Sequence, residues 1–225
     1  MLNNNLIMAS YIRGYILNNN IQFDKEILDK DLASLTSSEI EKLKDFAIKK
    51  ELKLYYFKEK EILPRVKIVL GYLKGIYPET LLDVGSGRGI FLFPLLKEFP
   101  NIKVHSIDIL DKRFELLNNI STGGIANLVV DKKDITTYYS LTPLYDCVTL
   151  LEVLEHIPNV EGAIKNAISL SKKFIIISVP NKPDNNPEHI HFLTIEKLTN
   201  IFNSFGITNL KFSGVNGHLI LVAQK

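Results

Sequence analysis

Leu81-Leu82-Asp83-Val84-Gly85-Ser86-Gly87-Arg88-Gly89 decides how this chain is read. A short apolar run carrying one acid has the composition of a buried strand. The three glycines that follow at G-x-G-x-G spacing predict a tight turn leading into a helix. Glycine serves such a turn in two ways: it takes up φ values closed to other L-residues, and it lets backbone approach a ligand without a Cβ between them. Gly85, Gly87 and Gly89 meet both demands.

What the turn holds is narrowed by what it lacks. A dinucleotide loop reads G-x-G-x-x-G, with a small residue where this chain has Ile90, and a phosphate-cradling loop needs a Lys after its glycines. Asp83, two residues before Gly85, would repel a pyrophosphate and suits the cationic amino-acid end of a ligand. The turn therefore favours S-adenosylmethionine over NAD. Further on, IKVHSIDI (residues 102–109) alternates like a strand and brings Asp108 to its end, 23 residues beyond Gly85. An acid at the carboxyl end of the second strand of a doubly wound sheet reaches the ribose hydroxyls of a nucleotide held at the first turn.

Working outward, strand-like runs near 80–85, 102–108, 126–130, 145–151 and 173–179 alternate with helical ones, the pattern of a parallel sheet with helices on both faces. Two last runs, near 207–213 and 217–224, are joined only by a turn at Asn216-Gly217. So short a link predicts an antiparallel pair, because parallel strands need a crossover of a dozen residues or more. The fold expected is α/β, a doubly wound, mostly parallel, seven-stranded sheet ending in an antiparallel hairpin. Upstream, Thr36-Ser37-Ser38-Glu39 is a capping box before Ile40, Leu43, Phe46 and Ala47 at helical spacing. A second helix is expected over 59–76, with Pro64 allowed only near its start or at a break. Leu6, Ile7, Ile12, Ile16 and Leu17 can form one helical face. The division expected is a helical extension or cap over 1–55 and a ligand-binding domain over 56–225.

Together these segments resemble class I S-adenosylmethionine-dependent methyltransferases, over roughly residues 59–225. DVGSGRG (83–89) resembles their first motif, SIDI (106–109) the acidic loop that binds ribose, and KKDITT (132–137) the segment beside adenine. YDCVTLLEVLEHIP (145–158) resembles the fourth-strand motif beside the methyl donor, and FIIISVPN (174–181) the fifth strand. The resemblance implies a Rossmann-like fold, S-adenosylmethionine as cofactor and S-adenosylhomocysteine as product. It places Asp83, Gly85, Ser86, Gly87 and Gly89 at the methionine portion and Asp108 with Ile109 at the ribose. Asp134 with Ile135 would lie at the adenine, and Leu151 with Glu152 beside the donor methyl.

Methyl transfer from a sulfonium is a displacement on an activated carbon, so the protein mainly aligns the acceptor and, for a hydroxyl, supplies a base. His156 is the first candidate base and Glu152 the second. If the segment after the fourth strand is helical, Glu152, Glu155 and His156 are i, i+3 and i+4 and share a face. That E-x-x-E-H pattern, with His189 five residues before Thr194, also resembles metal-dependent ribose 2′-O-methyltransferases acting on the 3′ end of small RNAs. In that alternative Glu152, Glu155, His156 and His189 would hold a divalent ion. The sequence departs from that family in having Ile190-His191-Phe192 after His189, without a Trp. It equally resembles metal-free methyltransferases of small molecules, the leading expectation. The [ND]-P-P-[YFW] motif of base amino-methylation is absent, since the corresponding segment is L-L-E-V. A protein that binds the donor without catalysis is the third reading.

Composition sets outer limits. The 225 residues are 46% hydrophobic and 23% charged, with a formal net charge of +2, too small to argue for nucleic acid by itself. Charge is uneven, however: Lys49 to Lys74 holds eight Lys or Arg against three Glu, around Tyr55-Tyr56-Phe57. That stretch reads as an anion-holding surface, a lid over the cofactor, or a solvated helix face with its aromatics in the core. The single Cys147 lies in an apolar run and is expected to be a buried core residue. No apolar run is long enough for a membrane span, and the start does not resemble a signal peptide. A cytoplasmic setting is expected.

Overall fold

The computed structural model describes residues 1–183 and 186–225. Among these, seven strands form one sheet: β1 Thr80–Val84, β2 Lys103–Asp108, β3 Leu128–Lys132, β4 Tyr145–Leu151, β5 Ser171–Pro180, β6 Asn209–Val215 and β7 His218–Gln224. Their spatial order is β3-β2-β1-β4-β5-β7-β6. The first five run parallel, and β7 is antiparallel to both β5 and β6. The expected architecture is therefore the one found. Strand order reverses between β1 and β4, and the crevice above their carboxyl ends is where such sheets bind ligands.

Among the described residues, eight α-helices flank the sheet: α1 Asn4–Asn18, α2 Lys25–Asp29, α3 Ser37–Lys49, α4 Pro64–Ile76, α5 Leu92–Glu98, α6 Asp111–Thr122, α7 Val160–Leu170 and α8 Ile195–Ser204. Alternation along the strands sorts the core into two layers. Leu81, Val104, Leu128, Cys147, Ile176 and Ile220 face a layer built by α1, α3, α4, α5 and α6. Leu82, Ile107, Val148, Leu150, Ile175 and Leu221 face α7 and α8. Cys147 is fully buried, and burial pushes its thiol up.

Local chemistry fixes the ends of these elements. The Thr36 N–H donates to Glu39 Oε2 at 2.7 Å and Glu39 N–H donates back to Thr36 Oγ1, the reciprocal cap expected at the start of α3. Pro64 opens α4, and residues 59–63, expected within it, stay outside. A proline with no N–H fits the first turn, and its ring keeps Leu63 extended, at φ −59° and ψ 142°. Strands β3 and β6 each begin two residues later than the apolar pattern suggests. Ile207, read as the start of β6, instead donates its N–H to the Phe202 carbonyl and closes α8. Asn216 and Gly217, at φ 38° and 86°, make the hairpin turn between β6 and β7.

Helix α1 lies against α6 with backbone almost touching. A Cβ on Gly14 would fall 1.8 Å from the Asn119 carbonyl oxygen, and one on Gly123 would fall 1.7 Å from that of Ser10. Of the apolar face read for α1, Leu6, Ile7, Ile12 and Ile16 are buried, whereas Leu17 is exposed. No described helix is long and apolar enough to cross a membrane.

Candidate functional site

The glycine turn leaves β1 with Gly85, Gly87 and Gly89 at φ 67°, 59° and 78°. Gly85 N–H donates to the Ile107 carbonyl at 2.8 Å, tying the ends of β1 and β2 together. A Cβ on Gly85 would sit 2.7 Å from Val153 Cγ2, so only glycine keeps this wall open. Asp108, at the end of β2, accepts from the Gly87 N–H on one oxygen and the Leu110 N–H on the other, both at 3.0 Å. The turn and the ribose acid are thus one hydrogen-bonded unit.

Beneath it lies Asp83, 2% exposed, its Oδ1 accepting from the Thr149 hydroxyl at 2.7 Å. Burial pushes its carboxyl up to about 6, against the pull of hydrogen bonds from Ser86 and Thr149 and with a further push from the Asp108 charge. A buried carboxylate short of a counter-charge beside a small cavity suits an ammonium group.

Two adjoining cavities occupy the crevice. The larger, about 520 Å³, is lined by Gly85, Gly87, Asp108, Ile109, Asp134, Ile135, Glu152 and His156 among others. The smaller, about 170 Å³, is lined by Asp83, Ser86, Leu151 and again Gly85, Gly87 and Glu152, with Arg65 of α4 across it. Gly89 lines neither; a Cβ there would fall 2.3 Å from the Phe93 ring, so glycine is required where the chain turns into α5. Asp134 caps its own loop by accepting from Thr136 N–H at 2.8 Å, and Asn166 donates to the Ile135 carbonyl at 2.8 Å. The segment expected beside adenine is therefore held firmly at the cavity wall.

After β4 the chain is not the helix that would align three side chains. Glu152 stands at φ 57°, and only a single 3-10 turn follows, Leu154–His156. This left-handed residue between strand and turn sends Glu152 away from Glu155 and His156. Its Oε1 accepts from the Ser178 hydroxyl at 2.7 Å, and its Oε2 lies 3.0 Å from His218 Nδ1, an ion-pair distance without hydrogen-bond direction. The far nitrogen of His218 is 3.3 Å from Arg65 Nη1. Strain at a non-glycine residue, held by partners from two other elements, β5 and β7, is a mark of function.

Glu155, His156 and His189 make a separate group whose potential ligand atoms lie within 4.8 Å of one another. His156 donates from Nδ1 to the Glu188 carbonyl at 2.9 Å, which leaves Nε2 as the nitrogen able to accept. His189 therefore joins Glu155 and His156, as the metal alternative expected, and Glu152 does not. His218 was not among the residues expected at the site. The register Pro180↔His218 brings it to the carboxyl end of β5. Its signal was its place directly after the Asn216-Gly217 turn, which in an antiparallel hairpin puts it at the crevice edge.

Fold, glycine turn and the acid of β2 define a class I S-adenosylmethionine-dependent methyltransferase. A family model described as a methyltransferase domain matches residues 58–211, and the chain belongs to that family. Curated relatives include ubiquinone biosynthesis O-methyltransferases of Rickettsia typhi, 31% identical over 132 residues (52% of this chain, 49% of that one), and of Vibrio cholerae, 29% over 111 residues (48% and 44%). The chain spans about half the length of these relatives. Among solved structures, it resembles magnesium protoporphyrin IX methyltransferase from Synechocystis, crystallised with S-adenosylhomocysteine (TM-score 0.59, 17% identity, covering 81% and 94% of the two chains). It also resembles the small RNA methyltransferase HEN1 (TM-score 0.61, 20% identity, 75% and 26%). At these identities the likeness concerns the fold. The chain thus carries a methyltransferase domain of this class.

Proposed function

We propose that this enzyme methylates a hydroxyl oxygen of a small-molecule acceptor. The observation that carries the proposal is Glu152, which lines both cavities and is held between Ser178 and His218. Asp83 would hold the donor's ammonium, Asp108 and Ile109 its ribose, and Asp134 with Ile135 its adenine. The donor supplies an activated methyl group. Glu152, at the junction of the cavities, would take the acceptor's proton as oxygen attacks; His218 and Ser178 position its carboxylate. His156, the first candidate from sequence, lines only the larger cavity and becomes the second. The names of the two curated relatives above, both O-methyltransferases, support oxygen as the acceptor atom.

The test pairs labelled donor with hydroxylated aromatic acceptors. Glu152→Gln should reduce kcat at least 100-fold with S-adenosylhomocysteine affinity kept within a few-fold, the scale of a lost general base. Full activity in Glu152→Gln, or label on nitrogen or carbon only, would reject the reading.

A second reading rests on Glu155, His156 and His189. One carboxylate and two imidazoles suit Mn²⁺, Zn²⁺ or a similar ion, which would lower the pKa of an acceptor hydroxyl, a ribose 2′-hydroxyl of RNA included. Calorimetric titration of Mn²⁺ into protein saturated with S-adenosylhomocysteine should then give about one equivalent of binding, lost in Glu155→Gln. No binding heat would leave the metal-free mechanism.

A further inference from the structure

A cavity of about 860 Å³ is not the donor site but a neighbour that shares Leu110 with it. Its walls are α1, the turn around Tyr55 and Tyr56, and α6 from Asp111 to Asn119. Four cations reach it: Lys53, Arg88, Lys112 and Arg113. Among the described residues, none of the four forms an ion pair with a carboxylate. Two acids share the wall, and one of them, Asp111, is paired with Lys132. The remaining acid, Glu115, cannot balance four cations.

Unpaired cations converging on one concavity repel one another unless an anion joins them. They also exclude the methyl donor, whose sulfonium and ammonium are positive. Aromatic surface is present as well. Tyr55 is 47% exposed, its ring centroid 4.2 Å from that of Tyr56, and Arg88 stands 5.7 Å from the Tyr56 centroid on its own side. A ring can stack on the open Tyr55 surface while its anionic group reaches the cations. The side-chain amides of Asn18, Asn19 and Asn118, on the same wall, offer donors and acceptors to the edge of a heterocycle.

We propose that this cavity is a second ligand site, for a nucleotide: a heterocycle on Tyr55 and a phosphate among Lys53, Arg88, Lys112 and Arg113. The nucleotide is either free or the phosphorylated end of a single strand. Leu110 and Arg113 line both this cavity and the donor cavity, so the two ligands are neighbours through one loop. The site stands whether or not the acceptor oxygen is assigned correctly above.

The full chain, saturated with S-adenosylhomocysteine to block the donor site, is titrated with AMP, with a 5′-phosphorylated RNA tetramer and with inorganic phosphate. Expected are about one equivalent of AMP or tetramer, at least tenfold tighter than phosphate, and at least a tenfold loss in Lys53→Gln/Lys112→Gln. Tyr55→Ala should bring nucleotide affinity down to that of phosphate. Both variants change exposed residues that line only this cavity, so S-adenosylhomocysteine affinity should not move. A tetramer much tighter than AMP assigns a strand end; equal affinities assign a free nucleotide. Absence of binding, equal binding of phosphate and AMP, or unchanged binding in the variants would overturn the proposal.

Discussion

Asp83 shows how one buried carboxyl ties cofactor binding to proton release. Its carboxyl is raised from 3.8 to about 6 by burial, and the ionised form is therefore the costly one in the folded, ligand-free protein. A shift of about two units corresponds to roughly 3 kcal/mol. That stability is fully present below about pH 4 and is lost as pH rises through 6, because the unfolded chain gives up the proton first. Asp83→Asn should flatten this dependence and raise the melting temperature of the ligand-free protein at pH 7. An ammonium beside Asp83 reverses the preference, so S-adenosylhomocysteine should bind more tightly as pH rises through 6. At pH 5.5 its binding should release protons, measured by calorimetry in two buffers of different ionisation heat. Equal heats would remove Asp83 as the ammonium's partner. Thr149→Val takes away the 2.7 Å hydrogen bond to Asp83 Oδ1, leaving a buried carboxyl poorer by one donor. A loss of about 1–3 kcal/mol in urea unfolding is expected.

Elements were legible in the sequence where a local rule determined them. The capping box of α3, the glycine turn and the Asn216-Gly217 hairpin are each decided within a few residues, and each stands where the sequence placed it. What was not legible was long-range. Spacing alone put Glu152, Glu155 and His156 on one face, but the left-handed Glu152 divides them. Its partners Ser178 and His218 lie 26 and 66 residues on, joined only by sheet register. Helix α1 is another case, since its apolar pattern says what it buries and nothing about α6. The close approach there makes a prediction at this scale. Gly14→Ala would drive a methyl onto the Asn119 carbonyl, where backbone rather than a flexible side chain must yield. Overpacking of this kind costs about 1–3 kcal/mol, so the melting temperature should fall by several degrees. Gly71→Ala in α4, with nothing within 4 Å of the added carbon, should leave it unchanged or raise it. Equal behaviour of the two variants would show that α1 does not rest on α6.

The molecule as a whole then poses the question of what residues 1–55 are. The sequence divides the chain into a helical extension and a ligand-binding domain, and the family model begins only at residue 58. Packing argues against a detachable cap. Leu6, Ile7, Met8, Ile12 and Ile16 of α1 belong to the same apolar layer as Leu81, Val104, Leu117 and Ile120. Each such side chain contributes about 1.5–3 kcal/mol on burial, so these five approach the whole of a typical domain's stability of roughly 5–15 kcal/mol. We therefore expect a chain lacking residues 1–22 to lose its cooperative thermal transition and expose apolar surface to a hydrophobic dye, although the two cavities proposed for the donor are lined only by residues from Arg65 onward. The milder variant Ile12→Ala keeps the test decisive if the truncated chain cannot be purified. It should lower stability by about 2–5 kcal/mol while S-adenosylhomocysteine still binds at low temperature. A truncated chain that melts cooperatively and binds S-adenosylhomocysteine as the full chain does would instead establish residues 1–22 as a separable cap, with α6 stable on its own.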